Sequence, residues 1–270
     1  MTQGKDLQNI AARAESASKI YGSGENEVKA LDNVSVSFER GKFSAIMGPS
    51  GSGKSTLMHC IAGLDALTEG NVFIGDTDLS QLNDKEITKL RREKIGFIFQ
   101  SFNLIPTLNA YENITLPLTL GKKSGDDAWI KQVIDTISLK DRLDHRPSEL
   151  SGGQQQRVFL ARALAQQSDL YLMDEPFEGV DAITEKAIID LLKNLRNQGK
   201  TLMVVHHDLS TAKDYFDHLA LLNLRLVAYG KTEDVFTHDL LQRTYGGRLT
   251  VLSEVGSRKL NEKQPTPEAL

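Results

Sequence analysis

The sequence of 270 residues has a single cysteine, Cys60, so it cannot form an internal disulfide, which is typical of a reducing compartment. It also lacks a strong charge excess. Its 32 basic and 36 acidic residues give a net charge of −4, which argues against binding to nucleic acid or to an anionic membrane surface. The longest uncharged run, 95–111, contains Pro106 and several polar residues and is shorter than the roughly 20 apolar residues of a membrane span. No apolar secretory signal segment follows the N-terminus. We therefore expect a cytoplasmic protein whose contact with a membrane depends on a partner.

Strand and helix signals alternate along most of the chain. Short apolar runs at 43–47, 170–173 and 202–205 are typical of strands buried on both faces of a parallel sheet. Weaker strand patterns cover 10–21, 31–38, 72–74, 217–226 and 226–229, and helical spacing covers 56–64, 84–92, 129–137, 154–165 and 184–196. This alternation predicts an α/β fold: a mostly parallel sheet with an antiparallel β edge, covered by helices. We expect a helical subdomain inserted at about 101–165, a flexible N-terminus over 1–9 and a polar tail over 248–270.

Residues 48–55 read Gly-Pro-Ser-Gly-Ser-Gly-Lys-Ser and match the pattern GxxxxGK[ST]; we call them the phosphate loop. They lie between a predicted strand and a predicted helix, which is the context that the pattern requires. Glycines allow the tight turn that directs backbone N–H groups at phosphate oxygens, and the following helix adds its positive dipole end. Lys54 is expected to reach the β- and γ-phosphates and the Ser55 hydroxyl to reach Mg²⁺.

Two further motifs are ambiguous by themselves. The apolar run 170–173 ends in Asp174 and Glu175, which suit a metal ligand and a residue that orients or deprotonates water, although acidic strand ends are often only solvated. Ser151, Gly152 and Gly153 precede a predicted helix and suit an anion site, although a serine at this position is also an ordinary helix cap.

Taken together, the phosphate loop, the LSGGQ sequence at 150–154 and the acidic strand end resemble the nucleotide-binding subunit of ATP-binding cassette (ABC) transporters, over about residues 10–247. The resemblance implies a P-loop NTPase fold of ABC type and a single nucleotide-binding domain that binds ATP and Mg²⁺. It implies three catalytic residues, Glu175, His207 (the switch histidine) and Gln100 (the Q-loop glutamine), and three metal ligands, Ser55, Gln100 and Asp174. The residues that it implies for ATP binding are Tyr21, Gly48, Ser50, Gly51, Gly53, Lys54, Ser55, Thr56, Ser151, Gly152, Gly153, Gln154 and Asp181.

The resemblance also implies partners. In the family, ATP is held between two subunits arranged head to tail, so that Ser151 and Gly153 complete the site of a second subunit, here expected to be an identical copy. Asp181 lies in the D-loop, and Tyr21 stacks on adenine, although packing at a strand end is an alternative for this residue. The subunit docks an integral-membrane permease at the cytoplasmic face of the cell membrane and binds no nucleic acid.

The branch of the family that the sequence resembles changes along the chain. Up to about Arg157 the sequence resembles macrolide-export and lipoprotein-release ATPases, and from about Phe159 it resembles manganese and zinc importer ATPases. A chimera and one atypical lineage both account for this change. Because Gln100 and the helical subdomain fall in the first part, we expect an exporter or lipoprotein-release partner, with a divalent metal importer as the alternative. Glu178, within DEPFEGVD, adds a carboxylate where a small residue is expected.

Two other classes fit less well. Chromosome-maintenance and repair ATPases carry long heptad arms between the phosphate loop and the signature, whereas Lys54 and Ser151 are only 97 positions apart. A non-hydrolysing nucleotide switch is disfavoured because Glu175 and His207 are both present. Three residues have structural interpretations: Cys60 as a buried small side chain, His59 as a helix-surface residue and His206 as a structural neighbour of His207.

Overall fold

The computed structural model describes residues 7–98, 104–121 and 125–246. The strands among them are β1 (Ile10–Tyr21), β2 (Val28–Glu39), β3 (Phe43–Met47), β4 (Glu69–Ile74), β5 (Thr77–Asp78), β6 (Ile95–Ile98), β7 (Leu170–Asp174), β8 (Thr201–Val205), β9 (His218–Asn223) and β10 (Arg225–Lys231). The helices are α1 (Lys54–Ile61), α2 (Asp84–Lys94), α3 (Ala110–Gly121), α4 (Asp127–Thr136), α5 (Gly152–Ala165), α6 (Ala182–Asn197), α7 (Ala212–Tyr215), α8 (Thr232–Val235) and α9 (His238–Tyr245).

The larger sheet has six strands in the order β10-β9-β3-β8-β7-β6. Its strands pair in parallel from β9 to β6, and β10 alone is antiparallel. The three uninterrupted apolar runs predicted as strands form β3, β7 and β8, and every residue of these strands is buried. This burial confirms the α/β prediction, because a strand that is covered on both faces needs apolar side chains in both directions.

The antiparallel part of the fold is larger than an edge of the main sheet. A separate four-stranded sheet has the order β2-β1-β4-β5, and all of its pairings are antiparallel. The alternation predicted over 31–38 is present in β2, where Leu31, Val34, Val36 and Phe38 are buried between more exposed residues. This alternation arises because one face of the small sheet packs on the protein core and the other faces solvent.

Two packed clusters cover the opposite faces of the main sheet, and β3 contributes to both. Ala45 and Met47 pack into the cluster that includes helices α3–α6. Ile46 points the other way, into the cluster of α1 and the small sheet. Alternate residues of a strand point to opposite faces, so β3 is held from both sides and its C-terminal end has a fixed position.

The described residues of the middle segment, 104–121 and 125–165, contain the helices α3, α4 and α5 and no strand. α5 is tied to its neighbours by side-chain hydrogen bonds to backbone carbonyls. The Trp129 indole N–H donates to Leu164 O at 2.9 Å, and Gln166 Nε2 donates to Arg92 O at 2.7 Å. None of the helices in the described part of the chain is both long and apolar enough to cross a membrane.

Two predictions of local structure were wrong in detail. The helix predicted over 56–64 begins at Lys54, because Gly53 caps it and the last two residues of the phosphate loop are already helical, and it ends at Ile61. The single weak strand predicted over 217–226 is interrupted at Leu224, whose φ of 59° reverses the chain between β9 and β10. Residues 1–6, 99–103 and 247–270, which include the polar tail, lie outside the described residues.

Candidate functional site

The phosphate loop connects the end of β3 to the start of α1. Gly53 caps the helix with a φ of 91°, and a Cβ at this position would lie 2.2 Å from Ala30 O, so only glycine fits. The Lys54 ammonium donates to Gly48 O at 3.0 Å and to Pro49 O at 2.9 Å, across the mouth of the loop. Burial lowers the pKa of Lys54, while Asp174 and Glu175 act against this. A triphosphate would add negative charge beside this buried cation and so favour its protonated form.

The parallel strands bring three parts of the predicted site to one edge of the main sheet. Ile46 of β3 pairs with Val205 of β8, and Val205 also pairs with Asp174 of β7. The phosphate loop, the two carboxylates and the histidine pair therefore all follow directly from adjacent strand ends. Ligands of open α/β sheets bind at this edge.

Asp174 is 2% exposed and is held by α1. Its Oδ1 accepts a hydrogen bond from Ser55 Oγ at 3.1 Å, and its Oδ2 lies 3.7 Å from Nε2 of His59. Burial raises the pKa of Asp174, against the effects of the Ser55 hydrogen bond and of His59 and Lys54. A cation would stabilise this buried carboxylate, and a hydroxyl with a carboxylate is a donor set that suits Mg²⁺.

Glu175 begins the loop after β7 and has a left-handed backbone with a φ of 49°. Such a conformation costs a non-glycine residue about 1–3 kcal/mol and is often found at functional sites. Its N–H donates to Val205 O at 3.2 Å, and its Oε1 lies 3.9 Å from Nδ1 of His207. Both side chains line a cavity of about 270 Å³, together with Glu178, Glu185 and Asp208. The extra carboxylate at Glu178 is therefore near the site.

The two adjacent histidines have different environments. His206 is 5% exposed, and its Nε2 lies 2.8 Å from the Thr211 hydroxyl. Burial lowers its pKa to about 4, and the neighbouring His207 acts in the same direction. The His207 side chain is 64% exposed at the cavity. The interpretation of His206 as structural is consistent with this burial, and only His207 is accessible to a ligand.

The signature residues cap α5. Ser151 Oγ accepts from Gln154 N at 3.3 Å, and Gln154 Oε1 accepts from Ser151 N at 2.9 Å. The ordinary cap expected as an alternative is thus present, while Ser151 and Gly152 remain exposed. No hydrogen bond among the described residues joins segment 151–154 to the phosphate loop of the same chain.

The same helix packs on the loop that follows β7. A Cβ on Gly153 would lie 2.6 Å from Gly179 O, and Gln156 Nε2 donates to Pro176 O at 3.2 Å. The D-loop aspartate, Asp181, then caps α6 by accepting from Thr184 N at 2.9 Å. The signature turn and the loop after Glu175 are consequently in direct contact within one subunit.

Tyr21 lies at the end of β1 and is 41% exposed. Its hydroxyl donates to Asp65 Oδ2 at 2.6 Å, and the Thr56 side chain also faces this hydroxyl. Burial and the Asp65 carboxylate raise the pKa of Tyr21 to about 12. An exposed ring near the first turn of α1 is suited to stacking on a base.

Sequence reasoning missed two residues that contact the site. His59 was expected on the helix surface but is half-buried and directed at Asp174. Its spacing of four from Ser55 was an available signal, because residues at i and i+4 share a helix face. Asp65, the partner of Tyr21, had no recognisable motif. The expected burial of Cys60 is confirmed at 2% exposure, and Gln100 lies outside the described residues.

Comparison with known proteins places these features in a family. A family model described as "ABC transporter" matches residues 31–178. The manganese transport system ATP-binding protein MntB of Bacillus subtilis is 45% identical over 234 residues, covering 83% of this chain and 89% of MntB. The macrolide export ATP-binding/permease protein MacB of Bdellovibrio bacteriovorus is 43% identical over 190 residues, covering 70% of this chain and 29% of MacB. A dimeric structure of the ATP-binding cassette MJ0796, in a post-hydrolysis state bound to ADP and Pi, matches with a TM-score of 0.74 and 40% identity, over 82% of this chain and 98% of that one.

Proposed function

The chain belongs to the ABC transporter family as an ATP-binding and ATP-hydrolysing cassette, and we propose that it powers a membrane permease by closing and reopening a head-to-tail dimer. The observation that supports this proposal is the position of five residues at one edge of the main sheet, just after the ends of the adjacent strands β3, β7 and β8. These residues are Lys54, Ser55, Asp174, Glu175 and His207. A dimeric structure of the cassette MJ0796 supports the dimer.

Each side chain has a task in this proposal. The phosphate-loop N–H groups and Lys54 bind the β- and γ-phosphates. Ser55 and Asp174, with Gln100 as the expected third ligand, would hold Mg²⁺, which when bound neutralises charge on the phosphate oxygens. Glu175 orients the attacking water and accepts its proton, and His207 contacts the γ-phosphate.

The second subunit supplies the remaining contacts. Ser151, Gly152, Gly153 and Gln154 face the γ-phosphate bound to the partner, where the exposed start of α5 offers N–H groups and its dipole. Loss of the γ-phosphate removes the charge that joins the two subunits, so hydrolysis opens the dimer. The proposed place of action is the cytoplasmic face of the cell membrane, peripheral through the permease.

The test of this proposal is light scattering of Glu175→Gln with and without Mg-ATP. Removing the proposed base should trap ATP and shift the protein from monomer to dimer. Glu93→Gln, an exposed change on α2, is the matched control and should remain monomeric after turnover. A Glu175→Gln protein that binds ATP but stays monomeric at all concentrations would contradict the proposed sandwich.

The permease has two candidate types. The exporter-like first part of the sequence supports a macrolide-export or lipoprotein-release partner. The longer match to MntB, over 83% of the chain against 70% for MacB, supports a divalent metal importer. Both matches are long enough to include residues on both sides of Arg157.

A cellular experiment separates the two candidates. We would place Glu175→Gln in the native gene and measure cell manganese and zinc alongside sensitivity to macrolides. Lower metal content with unchanged macrolide sensitivity supports the importer. Greater macrolide sensitivity with unchanged metal content supports the exporter.

A further inference from the structure

The Tyr21 side chain is anchored at its far end by a residue from another element. Its hydroxyl donates at 2.6 Å to Oδ2 of Asp65, four residues after the last residue of α1. The other oxygen of Asp65 accepts from Lys19 Nζ at 2.6 Å. Lys19 Nζ also donates to Ala66 O at 2.6 Å. The three side chains therefore form one connected group, which we call the Tyr21 anchor: Lys19, Tyr21 and Asp65.

Charge strengthens this group. The Lys19 side chain is 12% exposed and that of Asp65 is 29% exposed, so water competes only partly for their contact. Partial burial acts to raise the pKa of Asp65, but the hydrogen bonds from Lys19 and Tyr21 outweigh it and the pKa is lowered. Asp65 is ionised at neutral pH, and hydrogen bonds to an ionised acceptor are about twice as strong as neutral ones.

The backbone under the anchor is also fixed. Thr68 N donates to Ser18 O at 2.9 Å, and Ile20 N donates to the Thr68 hydroxyl at 3.0 Å. These two bonds hold the segment after Asp65 along the last residues of β1. The backbone segments that carry the carboxylate and the tyrosine ring are thus held beside each other.

The ring has one occupied face. Lys19 Nζ lies 4.8 Å from the ring centroid of Tyr21, within the range of a cation–π contact, while the tyrosine as a whole remains 41% exposed. A flat base therefore has one face of the ring on which to stack. The Thr56 side chain, in the first turn of α1 and next to the phosphate loop, also faces the Tyr21 hydroxyl, so the anchored tyrosine lies beside the helix that begins at that loop.

We propose that Asp65 is a positioning residue that fixes the Tyr21 ring as a preformed platform for the base of the nucleotide. The inference rests on the proposed ATP site and deepens it, since it assigns base affinity to an anchor outside the known motifs. α1 then links the two parts of the proposed site, with Lys54 at its start and Asp65, which holds Tyr21, shortly after its end. Preformed contacts of this kind raise affinity because less side-chain freedom is lost on binding.

The test is calorimetric titration of the full chain with Mg-ATP and with Mg-tripolyphosphate, which has no base. Tyr21→Phe keeps the ring but loses the anchored hydroxyl, and Asp65→Ala loses the acceptor. Each should weaken ATP binding about three- to tenfold and leave tripolyphosphate binding unchanged. The double variant should be no weaker than Asp65→Ala alone, because Asp65→Ala already removes the hydrogen bond that Tyr21→Phe removes.

Two controls keep the result specific. Asp65→Asn retains an oxygen that accepts from the Tyr21 hydroxyl and should recover most of the ATP affinity. Asp76→Ala removes an exposed aspartate of the β4–β5 turn and should bind ATP like the wild type. If Asp65→Ala does not fold, Tyr21→Phe with Asp65→Asn still tests the anchor.

Tyr21→Ala separates a failure of the base platform, the Tyr21 ring itself, from a failure of the Tyr21 anchor. If Tyr21→Ala weakens ATP binding while Tyr21→Phe and Asp65→Ala do not, the base platform stands and the anchor is overturned. If Tyr21→Ala changes the affinity for ATP no more than it changes the affinity for tripolyphosphate, the Tyr21 ring does not bind the base. The inference is then overturned as well. An equal loss of ATP and tripolyphosphate affinity in Asp65→Ala would also overturn the anchor, because it would indicate a disturbed phosphate loop.

Discussion

The Ser55 hydroxyl donates a hydrogen bond of 3.1 Å to the carboxylate of Asp174, although 119 positions of sequence separate the two residues. The contact joins the first turn of α1 to the end of β7 and places the two proposed metal ligands side by side. In the proposed site, Gln100, phosphate oxygens and waters would supply the other ligands of the cation, since Mg²⁺ commonly keeps several waters in phosphate sites.

The first prediction concerns that hydroxyl. Ser55→Ala should lower Mg²⁺-dependent ATPase activity at least about tenfold, because one of the few protein ligands of the metal is lost. Binding of ATP in the presence of a chelator should not change. Ser55→Thr, which keeps the hydroxyl, is the control and should retain activity in a Mg²⁺ titration. Equal Mg²⁺ dependence in the alanine variant and the wild type would contradict this assignment.

The second prediction separates the two adjacent histidines. His207→Ala should lower kcat about a hundredfold with little change in KM, since in the proposed mechanism the exposed imidazole acts on the γ-phosphate during the reaction. Its melting temperature should stay near that of the wild type. His238→Ala on α9 removes another exposed histidine and should keep full activity. Steady-state kinetics of the variants would decide, and a normal kcat in His207→Ala would remove it from the mechanism.

The third prediction is a pH dependence of stability. Burial holds the pKa of His206 near 4, below its ordinary value of 6.5, so between these values the unfolded chain takes up a proton that the folded chain does not. Stability from this residue is complete above about pH 6.5 and is lost as pH falls towards 4. The free energy of unfolding should fall by about 2 kcal/mol between pH 7.5 and pH 5 on this account.

Urea denaturation at the two pH values measures that fall. His206→Gln cannot titrate in this range, so its free energy of unfolding should change less with pH than that of the wild type. Identical pH dependence in both proteins would show that other groups account for the effect.

The fourth prediction concerns the contact between the signature turn and the D-loop. Gly153→Ala places a Cβ 2.6 Å from Gly179 O, so one of the two backbones must move. Overpacking of this kind costs about 1–3 kcal/mol. ATPase activity and ATP-dependent dimer formation should fall at least about tenfold, while binding of ATP to the monomer should persist. Gln154→Ala leaves Gly153 in place, and its monomer should also still bind ATP. Full ATPase activity in Gly153→Ala would contradict a close contact between Gly153 and Gly179.

The parts of the site that the sequence predicts best are those encoded by adjacent residues. The phosphate loop needs glycine at position 53 because of its left-handed φ and its closeness to Ala30. A requirement for one residue type at a fixed position in the loop is visible in the sequence as a motif. The strands β3, β7 and β8 can also be predicted from the sequence, since burial on both faces of the sheet requires an uninterrupted apolar run.

The sequence could not predict the features of the site that depend on contacts between distant segments of the chain. His59 faces Asp174 only because α1 packs beside β7, and Asp65 meets Tyr21 only because the segment after α1 runs along β1. The turn at Leu224 was missed because a left-handed leucine has no propensity signal. These features follow from packing and not from local pattern, so one sequence does not reveal them.

The closeness of Gly153 to Gly179 also bears on how such proteins exchange parts by recombination. A crossover just after Arg157 would take the signature turn from one parent and the loop after Glu175 from another, and the new contact would be between two backbones. Backbone atoms are the same in every parent, so this contact requires only glycine at this position, whereas the hydrogen bonds of Trp129 to Leu164 and of Gln166 to Arg92 also cross the junction and depend on side chains. A recombinant cassette is therefore expected to keep its signature turn seated on the loop after Glu175, while its stability depends on how well the parents match at the side-chain contacts that cross the junction.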